Sequence, residues 1–163
     1  MAGDMFLKVD GAPGESTDEK HDGWIEIDSW SYGYTQNVAS GGRSTGGART
    51  AEQVNISDVT IMKGMDKASP ELFFLCCNGK HIPNVVIEVC RASEKKEKYW
   101  EIKLTDVLIT SCQPSQGVGD IPRESVTFNP GKIEWIYTEM SHGPGKPGGP
   151  ITHNWSLLKN VGG

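Results

Sequence analysis

The sequence predicts a mainly β fold: a bent antiparallel β-barrel of two sheets, with one flanking α-helix at about residues 69–78 and a long extended loop at about 37–53. Three observations carry this. Alternating apolar and polar residues recur along the chain, which is the period of a strand with one buried face. In three of these stretches the alternation changes parity at an aspartate. Only one segment has the start, the stop and the apolar content of a helix.

The first strand is Met5-Phe-Leu-Lys-Val9, followed by a polar loop through Gly23. Trp24 to Tyr34 reads as one long strand with an internal conflict. Ile25 and Ile27 share one face, whereas Trp30, Tyr32 and Tyr34 share the other. An unbroken strand cannot bury both sets against one core, so a bulge near Asp28 is expected to switch the face. The same change separates Val54 and Ile56 from Val59 and Ile61 around Asp58. It recurs between Trp100, Ile102 and Leu104 and the pair Val107 and Ile109, around Asp106. Small barrels turn corners with such irregularities. Burial on both faces is the alternative for any one of these strands.

The helix begins at Ser69, a good N-cap, with Pro70 at the first helical position and Glu71 at the positive end of the dipole. Gly79 is the C-terminal stop. Between them Leu72-Phe-Phe-Leu-Cys-Cys77 is apolar almost all round, the pattern of a helix with no solvent face. Such a helix has packing available on the barrel and against another subunit. Asn84 to Arg91 and Tyr99 to Thr110 form a strand pair, with the mixed-charge run Glu94 to Lys98 as its solvated tip. Gln113 to Pro122 is a loop. Ser125 to Phe128 and Lys132 to Tyr137 are two further strands joined by a turn at Asn129-Pro-Gly131. A Gly- and Pro-rich tail, Ser141 to Pro150, ends in an anchor at Trp155, Leu157 and Leu158.

With 163 residues the chain is one domain, 1–163, large enough to bury a core without metal or disulfide staples. Its net charge of −5 and the absence of a basic stripe argue against nucleic acid as a partner. No apolar run reaches the length of a membrane span, and the N-terminus lacks the cationic and apolar regions of a secretory signal. In a chain made in the cytosol, Cys76, Cys77, Cys90 and Cys112 are expected as small buried hydrophobes rather than as disulfides or ligands.

No catalytic, metal or cofactor motif emerges. Gly42 and Gly47 have the separation of a phosphate-binding loop, but Ala48-Arg49 follows where lysine and a hydroxyl are needed. The four histidines, His21, His81, His142 and His153, are scattered, and no His or Cys pair has ligand spacing. Glu26 and Asp28 on one strand face read as a solvated face or bulge. The glycine-rich stretch reads instead as an arm for a neighbour, with Arg43 and Arg49 available for polar contacts.

The chain resembles the haemolysin-coregulated protein (Hcp) family, the tube protein of bacterial type VI secretion systems. The resemblance rests on the order and spacing of several pieces. They are Met5-Phe-Leu-Lys, Gly14-Glu-Ser16 with Asp18 and His21, Trp24-Ile-Glu-Ile27, Ser29-Trp-Ser-Tyr-Gly33, the glycine loop, Val54 to Ile61, Met65-Asp-Lys-Ala-Ser-Pro-Glu-Leu72, Asn78-Gly-Lys-His81, Gly148-Gly149 and Trp155. It implies a non-enzymatic subunit that forms six-membered rings with an open lumen and stacks into a tube. Its implied partners are further copies of itself, a contractile sheath, a spike protein and small effectors carried in the lumen. It also implies a protein made in the bacterial cytoplasm and secreted through that machine without a signal peptide.

Residue assignments follow. If Trp30 and Tyr32 face the core, Ser31 and Gly33 face outward as a smooth lumen wall against an effector. Gly41, Gly42, Arg43, Ser44, Thr45, Gly46, Gly47, Arg49 and Thr50 form the ring-stacking or neighbour-contact loop. Leu72, Phe73, Phe74, Leu75 and Cys76 form the helix packing and subunit interface. The competing reading is a secreted monomeric β-barrel binding module, an adhesin or carbohydrate binder using Trp24, Trp30 and Tyr34.

Overall fold

The computed structural model describes residues 3–39, 50–139 and 149–163. In chain order the strands are β1 (Asp4–Val9), β2 (Ile25–Glu26), β3 (Ser29–Ser31), β4 (Tyr34–Ala39), β5 (Thr50–Ile56) and β6 (Val59–Gly64). The helix α1 (Ser69–Asn78) follows, then β7 (Ile82–Cys90), β8 (Lys98–Ser115), β9 (Arg123–Tyr137), β10 (Ile151–Ser156) and β11 (Val161–Gly162).

One branched antiparallel sheet holds most of the chain. Its main path runs β11-β10-β9-β8-β7-β1-β2, and a branch runs from β9 through β6 to β3. The branching strand is β9: Arg123 to Phe128 pair with β6, Lys132 to Tyr137 pair with β10, and β8 lies along both parts. β4 and β5 form a separate two-stranded ribbon. The expected barrel is therefore not closed: among the described residues no ladder joins the free edges at β2, β3 and β11. The helix lies against β8, where the Cys112 thiol meets the carbonyl of Leu72.

All three aspartates mark an irregularity, by two different devices: a change of partner at Asp28 and Asp58, and a left-handed residue at Asp106. At Asp28 the chain changes partner, with the Ile27 N–H bonding Met5 and the Asp28 N–H bonding Met62. At Asp58 the ribbon strand β5 ends and β6 begins in the large sheet. The carboxylate of Asp58 fixes this corner by accepting from Thr110 Oγ1 at 2.7 Å and Asn129 Nδ2 at 2.9 Å. At Asp106 the register continues, from Thr105 opposite Lys132 to Val107 opposite Pro130. Asp106 itself takes a φ of 53°, and this left-handed residue rotates the strand so that burial passes from Ile102 and Leu104 to Val107 and Ile109. A true register shift lies just beyond, between Ile109 and Ser111.

Several local expectations are corrected. Trp24 to Tyr34 is three short strands rather than one. Asn129-Pro-Gly131 is no turn, because β9 passes through it and changes its buried face there, opposite Asp106. The expected loop at 37–53 is strand up to Ala39 and again from Thr50. Cys77 is exposed, and Cys76 and Cys112 are half-buried. Only Cys90 is a fully buried thiol, and all four are free.

The core is largely aliphatic, with Leu7, Ile25, Ile61, Leu72 and Ile87 clustered with Phe128. Each such side chain contributes roughly 1.5–3 kcal/mol by leaving water. One charged pair shares this interior. Lys63 on β6 and Glu124 on β9 are cross-strand partners with no solvent exposure, and their charged groups are in direct contact. The ammonium also reaches Asp66 Oδ1 at 2.9 Å, Ser69 Oγ at 3.1 Å and the Gly64 carbonyl at 3.0 Å.

This pair explains why Ser69 is not the N-cap. Ala68 holds that position without a side-chain cap. The Ser69 hydroxyl instead donates to Glu124 Oε1 and accepts from the Asp66 N–H, tying the helix start to the sheet. Gly79 ends the helix as expected, with a φ of 62° that glycine adopts without penalty.

Candidate functional site

The short strand β3 places its side chains as parity requires. Trp30 and Tyr32 pack on the core, whereas Ser31 and Gly33 are exposed. Gly33 is held by two hydrogen bonds to Ser57, one to its hydroxyl and one from its N–H. Tyr32 anchors an aromatic chain. Its hydroxyl accepts from Trp135 Nε1 at 2.8 Å and from the Tyr34 hydroxyl at 2.9 Å. Burial and the adjacent Tyr34 hydroxyl push the Tyr32 phenol upward, so it stays neutral. Trp24 stands elsewhere, edge-on to His21 and under the Lys8 ammonium.

The β4–β5 ribbon runs on from this strand. With β9 and β10 it frames an apolar cleft of about 560 Å³, lined by Tyr34, Val54, Ile56, Trp135 and Trp155. Tyr34, Thr35, Asn37 and Val38 on the ribbon are exposed. Thr50 pairs through its backbone with Ala39. The other assigned arm residues, Gly41 to Gly47 and Arg49, lie outside the described residues.

The helix does present a face to solvent in the single chain. Leu72 and Leu75 are buried, Phe73 and Cys76 are half-buried, and Phe74 is 64 % exposed with Cys77 beside it. An exposed phenyl on a helix that carries almost no charge is a surface suited to a protein contact.

A second cluster occupies the opposite side of the β1–β7 ladder. Phe6, which points away from the main core, stacks on the His21 ring at 4.0 Å. Both ring nitrogens are engaged: Nδ1 lies 2.8 Å from Asp18 Oδ2, and Nε2 lies 2.6 Å from Glu88 Oε2. Cys90 Sγ lies 4.0 Å from the same Nε2. The Lys96 ammonium beside Asp18, with help from His21, holds that carboxyl at about 2. Burial, reinforced by Glu88, Asp18 and Asp4, pushes the Cys90 thiol up to about 11, the reverse of an activated nucleophile.

Sequence reasoning did not bring His21, Glu88 and Cys90 together. The one available signal was that Glu88 and Cys90 alternate along a strand and share a face; nothing local connects His21 to them across 67 positions. Among the described residues His81 meets Asp106, in the open. Glu26 is exposed on β2 and Asp28 pairs with Arg123 at the surface, as a solvated face requires.

Comparison with known proteins agrees with this architecture. The profile of the family described as "Type VI secretion system effector, Hcp" matches residues 6–137. The chain is 34% identical over 163 residues to "Protein hcp1" of Pseudomonas aeruginosa, covering 99% of both chains. Among solved structures, one described as a type six secretion system protein superposes with a TM-score of 0.90 at 30% identity, covering 99% of this chain and 100% of the other. Hcp1 from Salmonella typhimurium superposes with a TM-score of 0.81 at 30% identity, over 99% of each chain.

Proposed function

Because the chain belongs to the Hcp family of type VI secretion proteins, we propose that it is a tube subunit that closes into six-membered rings, stacks those rings and carries small effectors in the lumen. The carrying observation is Phe74, which stands 64 % exposed on a helix otherwise anchored in the core. Closed rings need head-to-tail contacts, in which one surface of a subunit meets a different surface of the next. The helix face supplies one such surface, and the ribbon with its cleft supplies a second.

In this reading Phe74, with the half-buried Phe73 and Cys76 beside it, belongs to the subunit contact, while Leu72 and Leu75 pack the helix on its own core. The segment Gly41 to Thr50 bears on the next ring or neighbour, and Ser31 and Gly33 line the lumen. The sheath and spike of the machine act on the assembled tube, and the protein leaves the cell through it. The role is mechanical and adhesive rather than enzymatic. The upward shift of the buried Cys90 thiol supports this, since it leaves no activated nucleophile beside His21.

Solution mass and negative-stain images of the purified full chain test the assembly: rings of six are expected, and a monomer at high concentration refutes it. Ser31→Gln tests the lumen assignment. Retention of a co-expressed effector falls while the ring stays intact; unchanged retention removes Ser31 from the lumen wall. The aromatic cleft favours one competing reading, a monomeric binding module. That reading requires a monomer whose Trp fluorescence responds to a glycan or peptide ligand.

A further inference from the structure

We infer that His21, Glu88 and Cys90 form a binding site for a transition-metal dication of the zinc class, which staples the N-terminal loop to strand β7. The three ligand atoms, His21 Nε2, Glu88 Oε2 and Cys90 Sγ, all lie within 4.8 Å of one another. They supply one nitrogen, one carboxylate oxygen and one thiolate, a donor set suited to zinc and cobalt(II). Two come from adjacent same-face positions of β7. The third comes from the loop that precedes β2.

The surroundings orient the site as metal sites are oriented. Asp18 Oδ2 accepts from His21 Nδ1 at 2.8 Å, which fixes that nitrogen as a donor and turns Nε2 toward Glu88 and Cys90. Phe6 stacked on one face and Trp24 edge-on fix the ring plane. Lys98 occupies the other oxygen, Glu88 Oε1, at 3.4 Å, so Oε2 is the oxygen that faces His21 and would take the ion. His21 and Cys90 are buried, whereas Glu88 is 14% exposed and provides the way in.

For the two pairs that His21 makes, the required movement is small. A tetrahedral zinc holds nitrogen and oxygen ligands about 3.3 Å apart and nitrogen and sulfur ligands about 3.6 Å apart. Here these separations are 2.6 Å and 4.0 Å. Opening one and closing the other by roughly half an ångström admits the ion. Charge and protons balance: the dication displaces the proton shared between Nε2 and Oε2 and the thiol proton, and two negative ligands neutralise it. A water completes the coordination shell.

Cobalt(II) is the probe, titrated into chelator-treated, reduced full-length protein. The expected result is one ion per chain with tetrahedral d–d bands and a thiolate-to-cobalt charge-transfer band in the near ultraviolet, and zinc reverses both. Cys90→Ser removes the charge-transfer band. Asp18→Asn keeps it and weakens binding by roughly 10–100-fold, the usual effect of losing the carboxylate behind a metal-bound histidine. Circular dichroism of each variant separates loss of ligand from loss of fold. The inference is overturned if no charge-transfer band appears, or if the band survives Cys90→Ser in the folded protein. None of these readouts depends on ring assembly, so the site and the tube reading fail separately.

Discussion

Replacing Lys63 by methionine tests the least expected feature of the interior. Lys63 and Glu124 have no solvent exposure, and the ammonium contacts four acceptors at once. Lys63→Met keeps most of the side-chain volume and deletes only the charge. Glu124 Oε1 then retains the Ser69 hydroxyl alone, and Glu124 Oε2 already has no partner among the described residues. Removing one member of a buried pair costs about 3–5 kcal/mol, which for a chain of this size lowers the melting midpoint by roughly 6–20 °C. The double variant Lys63→Met, Glu124→Leu removes both charges and recovers most of that loss, because apolar side chains replace a buried pair at little or no cost. Thermal and urea melts read both at one fixed protein concentration, since assembly shifts the midpoint by mass action. The reasoning is refuted if Lys63→Met lies within about 1 kcal/mol of the parent, or if the double variant is no more stable than the single.

Three further outcomes follow from individual sites. Gly14→Ala places a methyl 2.3 Å from the Trp24 carbonyl oxygen, against backbone that cannot swing aside. It is expected to cost about 3 kcal/mol in a urea melt, the upper end for overpacking. Asp18 is held below its ordinary value of 3.8, to about 2, so its contribution is complete above the ordinary value and is lost as the pH falls through about 2. Melting midpoints of the parent and Asp18→Asn accordingly differ near neutrality and converge across that acid window. Phe74→Ser leaves the stability of the single chain within about 0.5 kcal/mol, as for an exposed position. It reduces the ring fraction seen by analytical ultracentrifugation; undiminished rings remove α1 from the subunit contact.

Local chemistry was legible wherever one segment decides the outcome. Pro70 and Gly79 bracket the helix because proline suits a first turn and glycine suits a left-handed stop. The parity of Trp30 and Tyr32 put Ser31 and Gly33 outside because strand alternation allows nothing else. Ser69 was misread because its hydroxyl answers to Lys63 and Glu124, and the latter lies 55 residues away. Yet Lys63 shares the odd parity of Val59 and Ile61, so a lysine on the buried face was readable. Asn129-Pro-Gly131 carries the same local signal for a turn and for a rotated strand. What decides is Asp106 on β8, so close that a side chain at Gly131 would stand 3.2 Å from it. Barrel closure depends on whether distant edges meet, and no window of sequence contains both. The His21 cluster is similarly distributed over a loop and a strand.

The double membership of β9 governs how the chain answers a pull or a push. Val126 lies on the part of β9 that faces β6, and Ile133 on the part that faces β10, yet a single covalent backbone carries both. Neither half can swing open without stripping that backbone from β8. Amides of β8 and β9 therefore exchange with solvent only through global opening, whereas those of the β4–β5 ribbon exchange by local fraying. A load applied at one end of such a body travels along a peptide chain to the other end, with no hinge between to absorb it.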